Sequence, residues 1–339
     1  MRSARTSRLL AATGAVIALV AVAGCGSSGG TSAAGQSGST GSSAGSPVKG
    51  KTIDMITGVK SDPFYISMTC AAQQEAARLG VNFKADGSAQ WDVSVQRPII
   101  DADAATRPDG LMISPVDTSA LTPSLEQLQQ SGTKIALVDT SVTDPSVGIT
   151  RISSDNEAGG RTAADALGAL MGGHGTAIVV SVTPGVSTTD ARTKGFTEEM
   201  AAKFPGITLL STLYDNDLPA TAASEISATL AAHPGLTGVF AANTNTAQGI
   251  ATGLRAAGKQ GTVKVAAFDA EPAEVQALRS GTLQILIAQD PAAIGRDGVD
   301  QLVAAFEGKP VTPQIGTTMV AITQKNFASM SQYTYKQSC

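Results

Sequence analysis

The sequence predicts an α/β protein made of two doubly wound lobes, each built on a parallel sheet. Three observations lead to this expectation. From Lys51 onward, short apolar runs alternate with amphipathic stretches of helical length, the spacing of right-handed βαβ units. The apolar residues are mainly Ala, Val, Ile and Leu, with aromatics at only 4% of the chain, which suits strands buried beneath helices on both faces. The chain of 339 residues also offers more strands than one small sheet holds, and the cycle restarts at Asn156.

The first residues read as an address. Arg2, Arg5 and Arg8 precede an apolar run, Leu9 to Val22, too short to span a bilayer comfortably, and small residues follow. This is a secretory signal pattern, and Val22-Ala23-Gly24-Cys25 resembles the lipobox of bacterial lipoproteins. That resemblance implies cleavage before Cys25 and acylation of its thiol; an ordinary signal with an incidental cysteine is the alternative. Gly26 to Ser46 is almost wholly Gly, Ser, Ala and Thr, and cannot bury enough apolar surface to order itself. As a flexible coil this segment spans roughly 25 Å, a leash holding a folded body off a membrane.

Charge and rare residues exclude several function classes. Loss of the signal removes three arginines and no acid, so the formal charge goes from −4 to −7. No basic cluster follows the first ten residues, which argues against nucleic acid as a partner. His174 and His233 sit in Gly- or Pro-flanked turns with no second histidine or cysteine nearby, so neither a metal site nor a cofactor is expected. Cys70 and Cys339 remain after Cys25 is lipidated, in an oxidising compartment where a disulfide between them can persist; two unpaired thiols are the alternative.

In chain order, the pattern predicts a strand at Thr52–Ile56, a helix over Phe64–Leu79, a strand at Asn82–Ala85 and a helix over Val93–Asp103. Strands at Gly110–Ile113 and Lys134–Val138 flank a helix at Thr118–Gln130. The second series has a helix at Asn156–Met171, a strand at Ala177–Val182 and a helix at Thr188–Lys203. Strands at Thr208–Leu213, Gly238–Ala241, Val263–Phe268 and Gln284–Ala288 alternate with helices, and a helix at Ile294–Phe306 closes the series. Ligands of such sheets bind at the carboxyl ends of strands, where Asp62, Asp139, Asn243 and Asp269 all lie.

Six short motifs in order carry a family resemblance over about Lys51 to Lys325. They are Arg107-Pro-Asp-Gly-Leu-Met-Ile-Ser-Pro-Val-Asp117; Asp155-Asn156 with Gly159-Gly160; Arg192 with Gly195-Phe196; Val239-Phe240-Ala241-Ala242-Asn243; Ala267-Phe268-Asp269; and Ile287-Ala288-Gln289. Together they resemble the type I periplasmic sugar-binding proteins, most nearly the ribose type. Repressors share that fold but carry a helix-turn-helix head, where this chain has an export signal. The resemblance implies two lobes joined by a three-segment hinge, with crossovers near Ser154-Asp155, Gln289-Asp290 and Thr318-Met319, and a ligand clamped between the lobes. The implied division is 1–24 signal, 25–50 linker, 51–154 with 290–318 as one lobe, 155–289 with 319–330 as the other, and 331–339 as a tail returning to the first helix.

A sugar offers hydroxyls at its rim and C–H faces above and below, so its site needs bidentate polar groups and flat aromatic walls. Phe64 and Tyr65 stand where the family places stacking aromatics, with core packing as the bland alternative. Asp139 matches the family's hydroxyl-binding aspartate, Arg192 and Asn243 suit hydroxyl oxygens by their donors and acceptors, and Asp269 and Gln289 lie at strand ends of the second lobe near a crossover. A solvated helix face is the alternative for Arg192, and turn, cap or hinge roles for the others. Removing an Arg192 of this kind is expected to weaken binding and change global stability little. Three positions depart from the family: Asp62 stands where an asparagine is usual, Thr140 where an arginine follows the aspartate, and Asp217 near a third aromatic wall. Trp91 precedes Asp92 at a helix start and reads as a hydrophobic staple beside an N-cap rather than a stacking residue.

The expected function is an extracytoplasmic, lipid-anchored, monomeric binding protein that captures a monosaccharide or polyol for an ABC permease. The four aspartates face a single candidate cation, Arg192, so anionic sugars are expected to be excluded while an amine on the ligand would be welcome. A receptor-coupled sensor would use the same capture physics. An enzyme is the other rival, but Gly185-Val186-Ser187-Thr188-Thr189 is no nucleophile elbow and the adjacent Glu198-Glu199 pair points apart on its helix.

Overall fold

The computed structural model describes residues 48–339. The signal pattern, Cys25 and the Gly/Ser-rich segment lie outside the described residues. Among those described, no helix is long and apolar enough to cross a membrane. The elements run β1 (Thr52–Thr57), α1 (Pro63–Leu79), β2 (Asn82–Gly87), α2 (Val93–Thr106), β3 (Gly110–Ile113), α3 (Thr122–Gln130), β4 (Lys134–Val138) and β5 (Thr150–Ser154). They continue with α4 (Asn156–Leu170), β6 (Gly175–Ser181), α5 (Ser187–Lys203), β7 (Ile207–Leu209), β8 (Leu213–Tyr214), α6 (Pro219–Ala232), β9 (Leu236–Ala241), α7 (Thr244–Ala256) and β10 (Lys264–Phe268). Last come α8 (Pro272–Arg279), β11 (Ile285–Gln289), α9 (Pro291–Phe306), β12 (Gln314–Thr317), β13 (Met319–Ile322) and α10 (Phe327–Met330).

Two sheets result. The first has the order β12-β5-β4-β3-β1-β2, with every pair parallel. The second has the order β13-β11-β10-β9-β6-β7, with β8 also on β6; it is parallel except for the antiparallel edge pair β11–β13. In each sheet the strand order reverses beside its first strand, at β1/β3 and at β6/β9, and a crevice opens at such switch points. The chain passes between sheets after β5, after β11 and between β12 and β13. Aspartates cap the helices entered at the first two passages: Asp155 accepts from Ala158 N at 3.0 Å and Asp290 from Ala293 N at 2.9 Å.

The motif glycines have a packing cause. A Cβ on Gly160 would sit 2.1 Å from Arg192 O, and one on Gly195 would sit 2.1 Å from Glu157 O. Bare backbone thus lets α4 and α5 cross in contact, and Arg192 rides on the second of these helices.

Four features differ from the sequence expectation. Helix α3 starts at Thr122, not Thr118, because the Asp117 carboxylate accepts from Ser119 N and Ala120 N and holds a turn there. The strand expected over Thr208–Leu213 is broken into β7 and β8. Strands β5 and β12 carry too few apolar residues to stand out as strands, and β13 is apolar but only four residues long; all three flank the passages between sheets. Finally, the second sheet is not wholly parallel, since β13 folds back on β11.

Candidate ligand-binding site

The carboxyl ends of the two sheets face each other across a narrow cleft. It holds about 440 Å³ of empty space, its open mouth included. Asp62, Phe64, Tyr65, Trp91 and Asp139 line it from the first sheet's side. Val182, Val186, Thr188, Thr189, Arg192, Asp217, Asn243, Asp269 and Gln289 line it from the second.

On the first side, α1 begins at the cleft. Asp62 caps it by accepting from Phe64 N at 2.8 Å, and Pro63 supplies the first turn. Burial, reinforced by Asp269, pushes the Asp62 carboxyl well above its ordinary range. Tyr65 donates its hydroxyl to Asp139 at 2.7 Å, and its ring lies 6.5 Å from that of Trp91 at 22°. Asp139 is pushed up to about 6 by burial, which outweighs the Arg192 charge and the Tyr65 hydroxyl that pull it down.

On the second side, Arg192 is the hub. Its Nε donates to Asn156 Oδ1 at 2.8 Å and its Nη1 to Ala242 O at 2.8 Å, while the guanidinium lies 3.8 Å from the centre of the Phe268 ring. Nη1 is 4.0 Å from Asp269 Oδ2. Asp269 accepts from Gln289 Nε2 at 2.7 Å, from the Tyr335 hydroxyl at 2.8 Å and from Thr244 Oγ1 at 3.1 Å. Asn243 caps α7 through its Oδ1 and donates from Nδ2 to Asp217 Oδ1 at 2.7 Å. Burial raises Asp217, and behind it raises Asp215 to about 6 and Glu271 to about 7.

Backbone strain gathers here. Asp139, Asp217 and Asp269 have φ of 64°, 60° and 85°, and only two other non-glycine residues, Arg107 and Asn216, share that region among those described. Left-handed aspartates at strand ends turn their carboxylates into the cleft at a conformational cost, a pattern that points to use. Three cleft-lining residues each carry a buried polar atom with no protein partner: Trp91 Nε1, Thr189 Oγ1 and Gln289 Oε1.

Of the ten residues singled out from sequence, nine line this cleft. Thr140 does not: its hydroxyl is committed to Pro115 O at 2.7 Å, so β4 directs Asp139 to the cleft and its neighbour away. Trp91 corrects the reading in the other direction. Asp92 does cap α2, accepting from Ser94 N, but the Trp91 ring stacks beside Tyr65 and forms part of the cleft wall. The carboxyl-end rule that selected Asp62 applies equally to the loop after β2 and points to Trp91. Tyr335 was missed, with no local signal to find it. Cys70 and Cys339 are joined by a disulfide, which brings the tail to α1. Among the described residues, no cluster of His, Cys, Asp or Glu could hold a metal.

A polar cleft with aromatic walls, formed between two doubly wound lobes with three chain passages, defines a class of solute receptors that close about a hinge. Within that class, the periplasmic binding protein domain family matches residues 53–310, and the chain belongs to it. This is a family of substrate-binding proteins rather than enzymes. The chain is similar to the ribose import binding protein of Escherichia coli, at 29% identity over 77% of this chain and 86% of that one. It is also similar to an ABC transporter solute-binding protein from Agrobacterium vitis bound with α-D-tagatopyranose, with a TM-score of 0.83 and 37% identity over 84% of this chain and 99% of that one. A carbohydrate transporter solute-binding protein from Agrobacterium radiobacter, in complex with D-arabinose, has a TM-score of 0.80 at 26% identity, over 84% and 98% of the two chains.

Proposed function

We propose that the chain captures a monosaccharide or polyol between its lobes and presents it to an ABC permease. The observation that carries this reading is the pairing, in one narrow cleft, of aromatic walls with carboxylates and amides from both sheets. Tyr65 and Trp91 suit C–H faces of a ring, while Asp62, Asp139, Asp217, Asp269, Asn243 and Gln289 suit hydroxyl donors. Ribose, tagatose and arabinose in the names of similar proteins support the same class. Sheet membership supports the division into 51–154 with 290–318 and 155–289 with 319–330 as the moving bodies.

The same cleft disfavours anions, because its carboxylates outnumber Arg192 and burial already resists their ionisation. Neutral sugars fit it, and an amino group would add a favourable charge. The N-terminal segment supports lipid attachment at Cys25 and a flexible tether, which puts capture at the outer face of a membrane. A thermal-shift screen of monosaccharides, polyols, amino sugars and sugar phosphates tests the assignment, since a ligand bound only by the folded state raises Tm. A stabilising neutral or amino sugar is expected; a screen in which none stabilises argues against sugar capture.

A further inference from the structure

The C-terminal tail crosses from one lobe to the other. Residues after β13 stay on the second lobe, where Gln324 Nε2 donates to Leu278 O at 2.8 Å and Tyr335 N donates to Ala270 O at 3.0 Å. The next residue is already on the first lobe: Lys336 N donates to Ser67 Oγ of α1 at 2.7 Å, and Cys339 is bonded to Cys70 of the same helix. The Tyr335 ring is buried against Phe64, with centroids 5.7 Å apart. Its hydroxyl accepts from Gln289 N at 3.0 Å and donates to Asp269 Oδ1 at 2.8 Å.

We propose that this tail is a working part of the cleft: Tyr335 is a positioning residue that fixes Asp269 and Gln289 for the ligand, and the Cys70–Cys339 bond holds it there as a fourth tie between the lobes. Gln289 sits where β11 ends and the chain crosses to α9, and it donates to Asp269 at the end of β10, so the geometry of the pair is exposed to hinge movement. Tyr335 pins both from the tail. The four residues after Tyr335, ending at Cys339, reach at most about 14 Å when fully extended. Wide opening of the lobes must therefore either stop at the length of this strap or pull Tyr335 off Asp269. Oxidised, the strap limits opening and keeps the second-lobe acceptors ordered; cut, it lets the lobes part and leaves Asp269 without one of its hydrogen-bond donors.

The ligand half of this inference rests on the sugar-capture reading; the tie itself does not. The test uses the wild-type protein oxidised and reduced, Tyr335→Phe, Tyr335→Ala and the double variant Cys70→Ser with Cys339→Ser. Calorimetry measures affinity for whichever monosaccharide binds the wild type, and small-angle scattering measures the ligand-free radius of gyration. Tyr335→Phe keeps the ring against Phe64 and loses only the hydroxyl, so it should melt near wild type yet bind about tenfold more weakly. The reduced and double-variant proteins should show a larger ligand-free radius of gyration. If Tyr335→Phe binds as wild type does while Tyr335→Ala does not, the ring merely packs and the positioning role is overturned. An unchanged radius after reduction and in the double variant overturns the tie. Should the wild type bind no sugar at all, the sugar reading fails and the tail proposal stands or falls on scattering alone.

Discussion

Arg192, proposed as a binding donor, is built into the core rather than laid upon it. Only 3% of its surface is exposed, and its guanidinium is shared between Asn156, the Ala242 carbonyl and the Phe268 face. The sequence motif indicates the residue but not this burial, so the expectation that its loss would spare stability does not survive. Arg192→Ala should weaken sugar binding by about 2 kcal/mol or more, because charge-assisted bonds in a closed cleft are the strong ones. It should also lower the urea midpoint, since Asn156 Oδ1 and Ala242 O lose their donor and Asp269 its nearest cation. Calorimetry and urea unfolding on the same sample separate the two losses. Trp91 gives a second check: Trp91→Ala should reduce sugar affinity about tenfold by removing a ring wall, while the Asp92 cap of α2 keeps the helix start intact. Unchanged affinity would return Trp91 to a packing role.

Among the elements, those with a strong apolar period were legible in the sequence, and the weakly patterned strands β5 and β12 beside the passages between sheets were not. Strands β3 and β4 and the second-lobe strands β6, β9, β10 and β11 are nearly continuous apolar runs, visible because both faces are covered. Thr-Arg-Ile-Ser-Ser in β5 and Gln-Ile-Gly-Thr in β12 alternate weakly, and their identity as strands comes from neighbours distant in sequence. The cleft residues were legible where a strand end or motif marks them, as at Asp269 and Asn243. Tyr335 lies 66 residues from Asp269, and no local pattern joins them. The α4–α5 crossing shows a motif with a purely steric meaning. Gly195→Ala should cost about 1–3 kcal/mol, because its new methyl meets the Glu157 carbonyl and neither backbone can give way easily. A urea midpoint equal to wild type would show that the helices part without cost.

A group of buried acids lies inside the cleft and beside it. Asp139 and Asp215 titrate at about 6 and Glu271 at about 7, from ordinary values of 3.8, 3.8 and 4.5, with burial the largest cause in each. The unfolded chain gives up these protons first as pH rises. Each group therefore contributes most below its unfolded value, and that contribution is lost as pH climbs through the folded one. Carboxyls held low by hydrogen bonds, such as Asp117 and Asp144, act in the opposite sense but only below about pH 4. The ligand-free protein should thus melt at a higher temperature at about pH 5 than at about pH 8. A Tm that rises over that interval would contradict the buried-acid account.

The central claim is that this acid-rich, aromatic-walled cleft takes an uncharged or cationic sugar and rejects an anionic one. Calorimetry on purified, ligand-free protein tests it most directly, with ribose, galactose, a polyol, an amino sugar and a sugar phosphate titrated under one buffer condition. The account predicts saturable one-to-one binding of at least one neutral or amino ligand and no detectable binding of the phosphate. Tight binding of the sugar phosphate, with none of the neutral or amino ligands bound, would contradict it.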